Sequence, residues 1–255
     1  MEAIRVVGQF SAGGFRAVGR FVLFSWAVLT EFFPIPRKLL LVQMEFIGNK
    51  SFWIITLAAM MIGAVFGLQF GEIFRVFKSE SMIGAAASYS LSKELAPVVS
   101  AFLVTGRAGS SMAAEIATMK VNDQIDSLKV LGVSPFNYLI APRVLATVLM
   151  LPLLTAVFLF VGVLASYLIG VMIFNVDSGV YIANIQWISE PKHIFEGLVK
   201  SAFFGLILSL IGCYKGIEAG RGAKGVGTAT TQSVVFALVS ILIVDFMLSF
   251  IYSEF

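Results

Sequence analysis

Charge is scarce in this 255-residue chain: Asp, Glu, Lys and Arg together make up 13%, against about 25% in soluble domains. There is one cysteine, Cys213, and one histidine, His193, which excludes a disulfide framework and a His/Cys metal cluster. A Ser–His nucleophilic pair has no support either. No Gly-x-x-x-x-Gly-Lys-Ser/Thr loop occurs: Gly222-Ala223-Lys224 and Gly225-Val226-Gly227 lack the spacing and the following hydroxyl, so no ATP-hydrolysing site is expected in this chain. The net charge of +3 is not gathered on a soluble basic face, which argues against a nucleic-acid partner. A cleaved signal peptide is also missing, because Arg16 and Arg20 break the first apolar run and Pro34 and Pro36 close it.

What the chain has instead is apolar sequence, at 58% of residues and a mean hydropathy of +0.94. Residues 51–71 and 144–176 carry no charge, and each is long enough for a hydrocarbon core of ~30 Å. Three further runs are interrupted: 81–106 by Lys93 and Glu94, 195–214 by Glu196 and Lys200, and 228–253 by Asp245. The prediction is an all-α integral membrane protein with five transmembrane helices in a single domain, 1–255. Residues 1–50 form an interfacial or elbow region, in which 4–33 lie on the membrane surface through Phe15, Phe21, Phe24 and Trp26, a sixth buried span being the alternative. Loops are expected at 107–143, 177–194 and 215–227, with Pro152 kinking the third span.

Basic residues orient the spans. Thirteen Lys and Arg lie on one side (six in 1–50, four in 107–143, three in 215–224), against Arg75, Lys78 and Lys192 on the other. The positive-inside rule then puts the N-terminus and the 107–143 loop in the cytoplasm and the C-terminus outside.

That loop is not ordinary loop sequence. Met112, Ile116 and Met119, then Val121, Ile125 and Leu128, recur at i, i+4, i+7, which predicts two amphipathic helical pieces. Asn122 or Asp123 can start the second, Gly132 can end it and Pro135 forbids its continuation. A short amphipathic helix held at the membrane by two spans is a docking surface for an energy-supplying partner. In the first span Gly63, Gly67 and Gly71 form two consecutive GxxxG steps, a stripe for close helix approach within the chain or between two copies. Gly212, Gly216 and Gly220 repeat the spacing but run into further glycines, as a flexible turn would. Lys93, Glu94, Lys200 and Asp245 lie at membrane depth, where charges pair with one another or face a wet cavity. They are either a structural lock or a lipid-headgroup patch.

The central block also resembles the MlaE-type permease family of phospholipid-moving ABC transporters. The resemblance rests on Lys93-Glu94-Leu95-Ala96-Pro97-Val98, Gly106-Arg107-Ala108-Gly109-Ser110, Ala114-Glu115-Ile116, and Leu131-Gly132-Val133-Ser134-Pro135 before Pro142-Arg143. It departs at Lys93, where family members often carry Arg, so a planar guanidinium fork is absent there. The resemblance implies a multi-pass permease of the bacterial inner membrane that carries phospholipid between the inner and outer membranes. It works as a homodimer around a lipid cavity, with a separate ABC ATPase that binds ATP and Mg and an Mce-domain lipid-binding protein outside. Glu94 matches the motif Glu and is assigned with Lys93, Lys200 and Asp245 to the lipid cavity. Arg107, Glu115, Val121, Ile125 and Leu128 are assigned to ATPase coupling. A non-transporting membrane scaffold and a proton-coupled transporter using Glu94 and Asp245 are the alternatives; the first predicts no ATPase partner and the second a pH-gradient dependence without ATP.

Overall fold

The computed structural model describes residue 16, residues 18–31 and residues 35–254, and among them there is no β-strand. Phe15, expected at the membrane surface, lies outside the described residues. Helix α1 (Val18–Thr30) is followed by α2 (Arg37–Val76), a single 40-residue helix. The helix therefore starts well before the apolar run at 51, because Lys38 and Lys50 mark where a chain leaves hydrocarbon and are not helix breakers. Next comes a rod from Ile83 to Val121 in abutting segments: α3 (Ile83–Ser90), a π turn at Leu91–Leu95, α4 (Ala96–Val104), a second π turn at Thr105–Gly109, and α5 (Ser110–Val121). The boundary expected at Gly106-Arg107 is thus no break in the helix. The rod ends at Asn122–Asp123, where Asp123 takes φ +56°.

The short α6 (Gln124–Val130) stops at Gly132, whose φ of +74° suits a residue without Cβ. A third π turn (Phe136–Ile140) leads into α7 (Ala141–Met172), which runs through Pro152. Residues 177–194, expected as a loop, hold α8 (Ser178–Ile188) and the start of α9 (Pro191–Ile217). Asp177 caps α8 by accepting from Val180 N at 3.0 Å. The final helix is α10 (Gly222–Glu254). Among the described residues four helices are long and apolar enough to cross a membrane: Arg37–Val76, Phe136–Met172, Pro191–Ile217 and Gly222–Tyr252. The expected span 81–106 falls within the rod, whose π turns divide it into shorter pieces.

Small residues set how these helices pack. Gly63 meets the backbone of Gly162, Gly67 meets Ser166 and Ile169, and Gly71 meets the Phe174 ring, so the α2 stripe is filled by α7 within the chain. On α9, Gly197 passes against the Ser92 carbonyl, Gly205 against Thr147, Gly212 against the Gly109 carbonyl and Gly216 against Ile116. The loop expected at 215–227 is shorter than that: Gly212 and Gly216 are packed residues of α9, α10 starts at Gly222, and the turn is confined to 218–221. Tyr181 of α8 is fully buried between Gly84 and Gly170, with its hydroxyl 3.0 Å from Ser166 Oγ. Phe24 and Val28 of α1 are buried in a core shared with Leu139, Leu210 and Tyr214, while Trp26 is 66% exposed. The N-terminal helix is therefore held by the bundle along one face and open along the other.

Gly63→Ala should cost about 1–3 kcal/mol, because its new methyl meets backbone that cannot rotate away. Gly67→Ala should cost less, since the nearest atom is a side-chain carbon of Ile169 at 3.0 Å. Thermal unfolding of the two detergent-purified variants ranks them, and equal midpoints would contradict this packing.

Candidate functional site

Pro97 shapes the polar centre of the bundle. It lacks an N–H, so the carbonyls four and five residues earlier, Lys93 and Ser92, lose a helical donor. The chain passes this point in a π turn, Leu91–Leu95, a geometry often found at functional sites. Gly197 closes against the Ser92 carbonyl, and Lys200 Nζ donates to the Lys93 carbonyl at 3.2 Å.

Lys200 is fully buried. Its ammonium also donates to Glu94 Oε2 at 2.7 Å, Ser249 Oγ at 2.7 Å and Asp245 Oδ1 at 3.4 Å. Ser249 Oγ lies 3.1 Å from Glu94 Oε1, which ties the cluster across the π turn, α9 and α10. A buried ammonium has three protons to satisfy and no aqueous alternative, and here it meets four acceptors. Exposure separates the members: the side chain of Lys200 is 0% exposed, that of Asp245 19% and that of Glu94 40%. Glu94 is therefore the face this cluster offers to an approaching group.

Of the four residues assigned to the cavity, the structure brings together Glu94, Lys200 and Asp245. Lys93 contributes its carbonyl, but its side chain turns away, donating to Tyr89 Oη at 3.3 Å. Ser249 joins the cluster without having been singled out in the sequence. Its signal was there, one helical turn beyond Asp245 on the same face.

The residues assigned to coupling are placed unevenly. Arg107 points into the bundle, donating to the Phe46 carbonyl at 2.8 Å and Ser51 Oγ at 2.9 Å, with Phe46's ring centroid 4.7 Å from its guanidinium. Glu115 pairs with Arg143 at 3.0 Å, and Arg143 donates onward to the Leu139 carbonyl at 2.7 Å. Val121 lines a groove with Thr118, Gly222, Ala223 and Val226. Ile125 is buried and Leu128 half-buried, both within the apolar cluster that also holds Phe24, Val28 and Leu139. The outward apolar residues at this end are Val130 and Leu131, 89% and 75% exposed. They fall just past the periodic pattern, which is why spacing alone did not single them out.

Comparison with known proteins agrees with this architecture. Residues 40–251 match the family model described as Permease MlaE. A "Probable ABC transporter permease protein" of Rickettsia felis is 39% identical over 245 residues, covering 95% of each chain. The "Intermembrane phospholipid transport system permease protein MlaE" of Haemophilus influenzae is 36% identical over 253 residues, covering 96% of this chain and 95% of that one. The chloroplastic protein TRIGALACTOSYLDIACYLGLYCEROL 1 of Arabidopsis thaliana is 39% identical over 207 residues, covering 81% of this chain and 59% of that one. With four long apolar helices and a match that covers most of its length, this chain is a multi-pass membrane protein of the MlaE permease family, the membrane subunits of ABC transporters.

Proposed function

We propose that this chain is the permease of a transporter that carries phospholipid between the inner and outer membranes of a bacterium. It crosses the inner membrane five times, by α2, the Ile83–Val121 rod, α7, α9 and α10. The observation that carries the reading is Glu94, a part-exposed carboxylate held at membrane depth by a buried lysine. A charge so placed is costly unless it serves the pathway. Glu94, with Asp245 and Lys200 behind it and Lys93 beside it, meets the headgroup while the apolar helix faces take the acyl chains.

Two copies are needed to enclose that space. Along α10, Val235, Val239, Leu242, Phe246 and Phe250 form an exposed apolar face that starts near the middle of the helix and runs past Asp245. A second copy against that face closes a cavity over Glu94. ATP and Mg bind a partner ATPase, which presses on the α5–α6 elbow, with Val130 and Leu131 entering its groove. Arg107 and the Glu115–Arg143 pair transmit that push by joining the rod to α2 and α7. An Mce-domain protein receives the lipid on the outer side, next to α8. Scaffold and proton-coupled readings have no comparable support among the relatives, which are ABC transporter permeases.

Co-purification in mild detergent, with mass spectrometry of the bound proteins and lipids, tests the class. An ATPase and glycerophospholipid in the same peak is the expected result, and a protein that emerges with neither would refute the proposal. Orientation is tested separately in a Cys213→Ala background. A cysteine at Ser178 should react with a membrane-impermeant maleimide added from outside, and one at Asn122 only after permeabilisation. The reverse pattern would invert the topology.

A further inference from the structure

A second polar cluster lies one turn of α9 outward from Lys200, and the lipid cavity as described does not use it. Glu196 is only 6% exposed, and its Oε2 has no hydrogen-bond partner. Its nearest charged neighbours are too far for good bonds: His193 Nδ1 at 3.8 Å from Oε2, itself without a partner, and Lys192 Nζ at 3.9 Å from Oε1. The packing of Gly197 on the Ser92 carbonyl sets this stretch of α9 against the π turn that carries Lys93 and Glu94. The Tyr89 ring stands edge-on to the His193 ring at 5.0 Å. Lys93, bonded to Tyr89 Oη at 3.3 Å, forms no ion pair among the described residues.

A buried carboxylate with an open oxygen calls for a cation. Two facts choose which kind. No group of three His, Cys, Asp or Glu side chains among the described residues suits a metal ion, whereas aromatic rings beside a carboxylate suit an organic cation. Depth gives the source. Glu196 is five residues inside the start of α9, about 7 Å along its axis, a level at which headgroups rather than acyl chains lie.

We infer that Glu196 is the ammonium site for a zwitterionic phospholipid, holding the headgroup amine while Lys93, across Tyr89, takes the phosphate. The assignment rests on the lipid-permease reading and narrows it, because an anionic lipid without an amine leaves Glu196 uncompensated. Such a lipid should be bound less well. Lys192, whose side chain is 60% exposed, swings aside when the amine enters.

The test uses the full-length chain in nanodiscs of mixed phosphatidylethanolamine and phosphatidylglycerol, with native mass spectrometry of the retained lipid. The wild type should enrich phosphatidylethanolamine over the surrounding bilayer. Glu196→Gln should lower that enrichment about tenfold, as expected for losing one hydrogen bond to a charge, and Glu196→Asp should keep most of it. A wild type that retains both lipids in bilayer proportion overturns the ammonium site while leaving the permease reading standing. So does an unchanged ratio in Glu196→Gln accompanied by a lower unfolding temperature, which would make Glu196 a structural partner of His193 and Lys192. If no lipid is retained by any variant, the permease reading and this inference fail together.

Discussion

Lys200→Met is expected to prevent the folded protein from accumulating. The substitution leaves the Glu94 and Asp245 carboxylates facing each other across Ser249 with no cation between them. Removing one partner of a buried ion pair costs about 3–5 kcal/mol, a large part of the roughly 5–15 kcal/mol that holds a folded domain together. The Lys93 carbonyl, already short of its helical donor because of Pro97, loses its substitute as well. Glu94→Gln should behave differently. Lys200 keeps Asp245, Ser249 and the Lys93 carbonyl, and the new amide oxygen still accepts, so assembly and ATP hydrolysis should continue while lipid transfer falls. Size-exclusion profiles of detergent extracts, followed by lipid transfer between proteoliposomes, separate the two outcomes. Wild-type yield for Lys200→Met would show that the cluster is not a lock. Normal transfer by Glu94→Gln would remove that carboxylate from the pathway. The triple variant Lys200→Met, Glu94→Gln, Asp245→Asn should regain yield without regaining transfer, since replacing a whole buried pair is far cheaper than breaking it.

The lock and the headgroup patch, open alternatives in the sequence, fall on different members of one cluster: a lock rests on the buried Lys200, and the proposed headgroup contact on Glu94, the more exposed carboxylate. Sequence could name the four charges because each interrupts an apolar run. It could not pair them, because their partners are brought together by three helices far apart in the chain. Lys93 shows the limit clearly. Adjacent to Glu94, it points about 100° away on a helix, and only the packed bundle shows that this direction leads to Tyr89 and the outer cluster.

Span ends and helix ends part for a related reason. Lys50 and Arg107 mark where apolar sequence stops, but a helix leaving a membrane has no cause to stop there, and α2 and the rod do not. Where the chain carries a true terminator, the sequence was explicit: Gly132 ends α6 with a left-handed backbone. The glycine stripe on α2 was legible as a close-packing face, but its partner was not. Gly162 and Ser166 on α7 supply the complementary small surface, and their spacing has no meaning until α7 is laid against α2.

The α5–α6 end of the bundle gives the other large expected effect. Val121, Ile125 and Leu128 have docking periodicity, yet Ile125 is buried beside Phe24 and Val28 of α1, Ile116 of α5 and Leu139. Of that stripe only Ile125 is buried, while Val121 and Leu128 stay part-exposed. Ile125→Asp should thus damage the permease itself, by several kcal/mol for a carboxylate with no partner in an apolar site, and lower its unfolding temperature with or without the ATPase. Leu131→Asp changes a residue that is 75% exposed, so the isolated chain should fold as the wild type does. If Val130 and Leu131 enter the ATPase groove, the same variant should lose the ATPase on pull-down. Measuring unfolding temperature and ATPase recovery for both variants keeps the two roles apart. A normal unfolding temperature for Ile125→Asp with lost ATPase would restore that face as the docking surface. Full recovery with Leu131→Asp would move the contact elsewhere on the elbow, to the groove lined by Val121, Gly222 and Val226, where the end of the rod meets the start of α10.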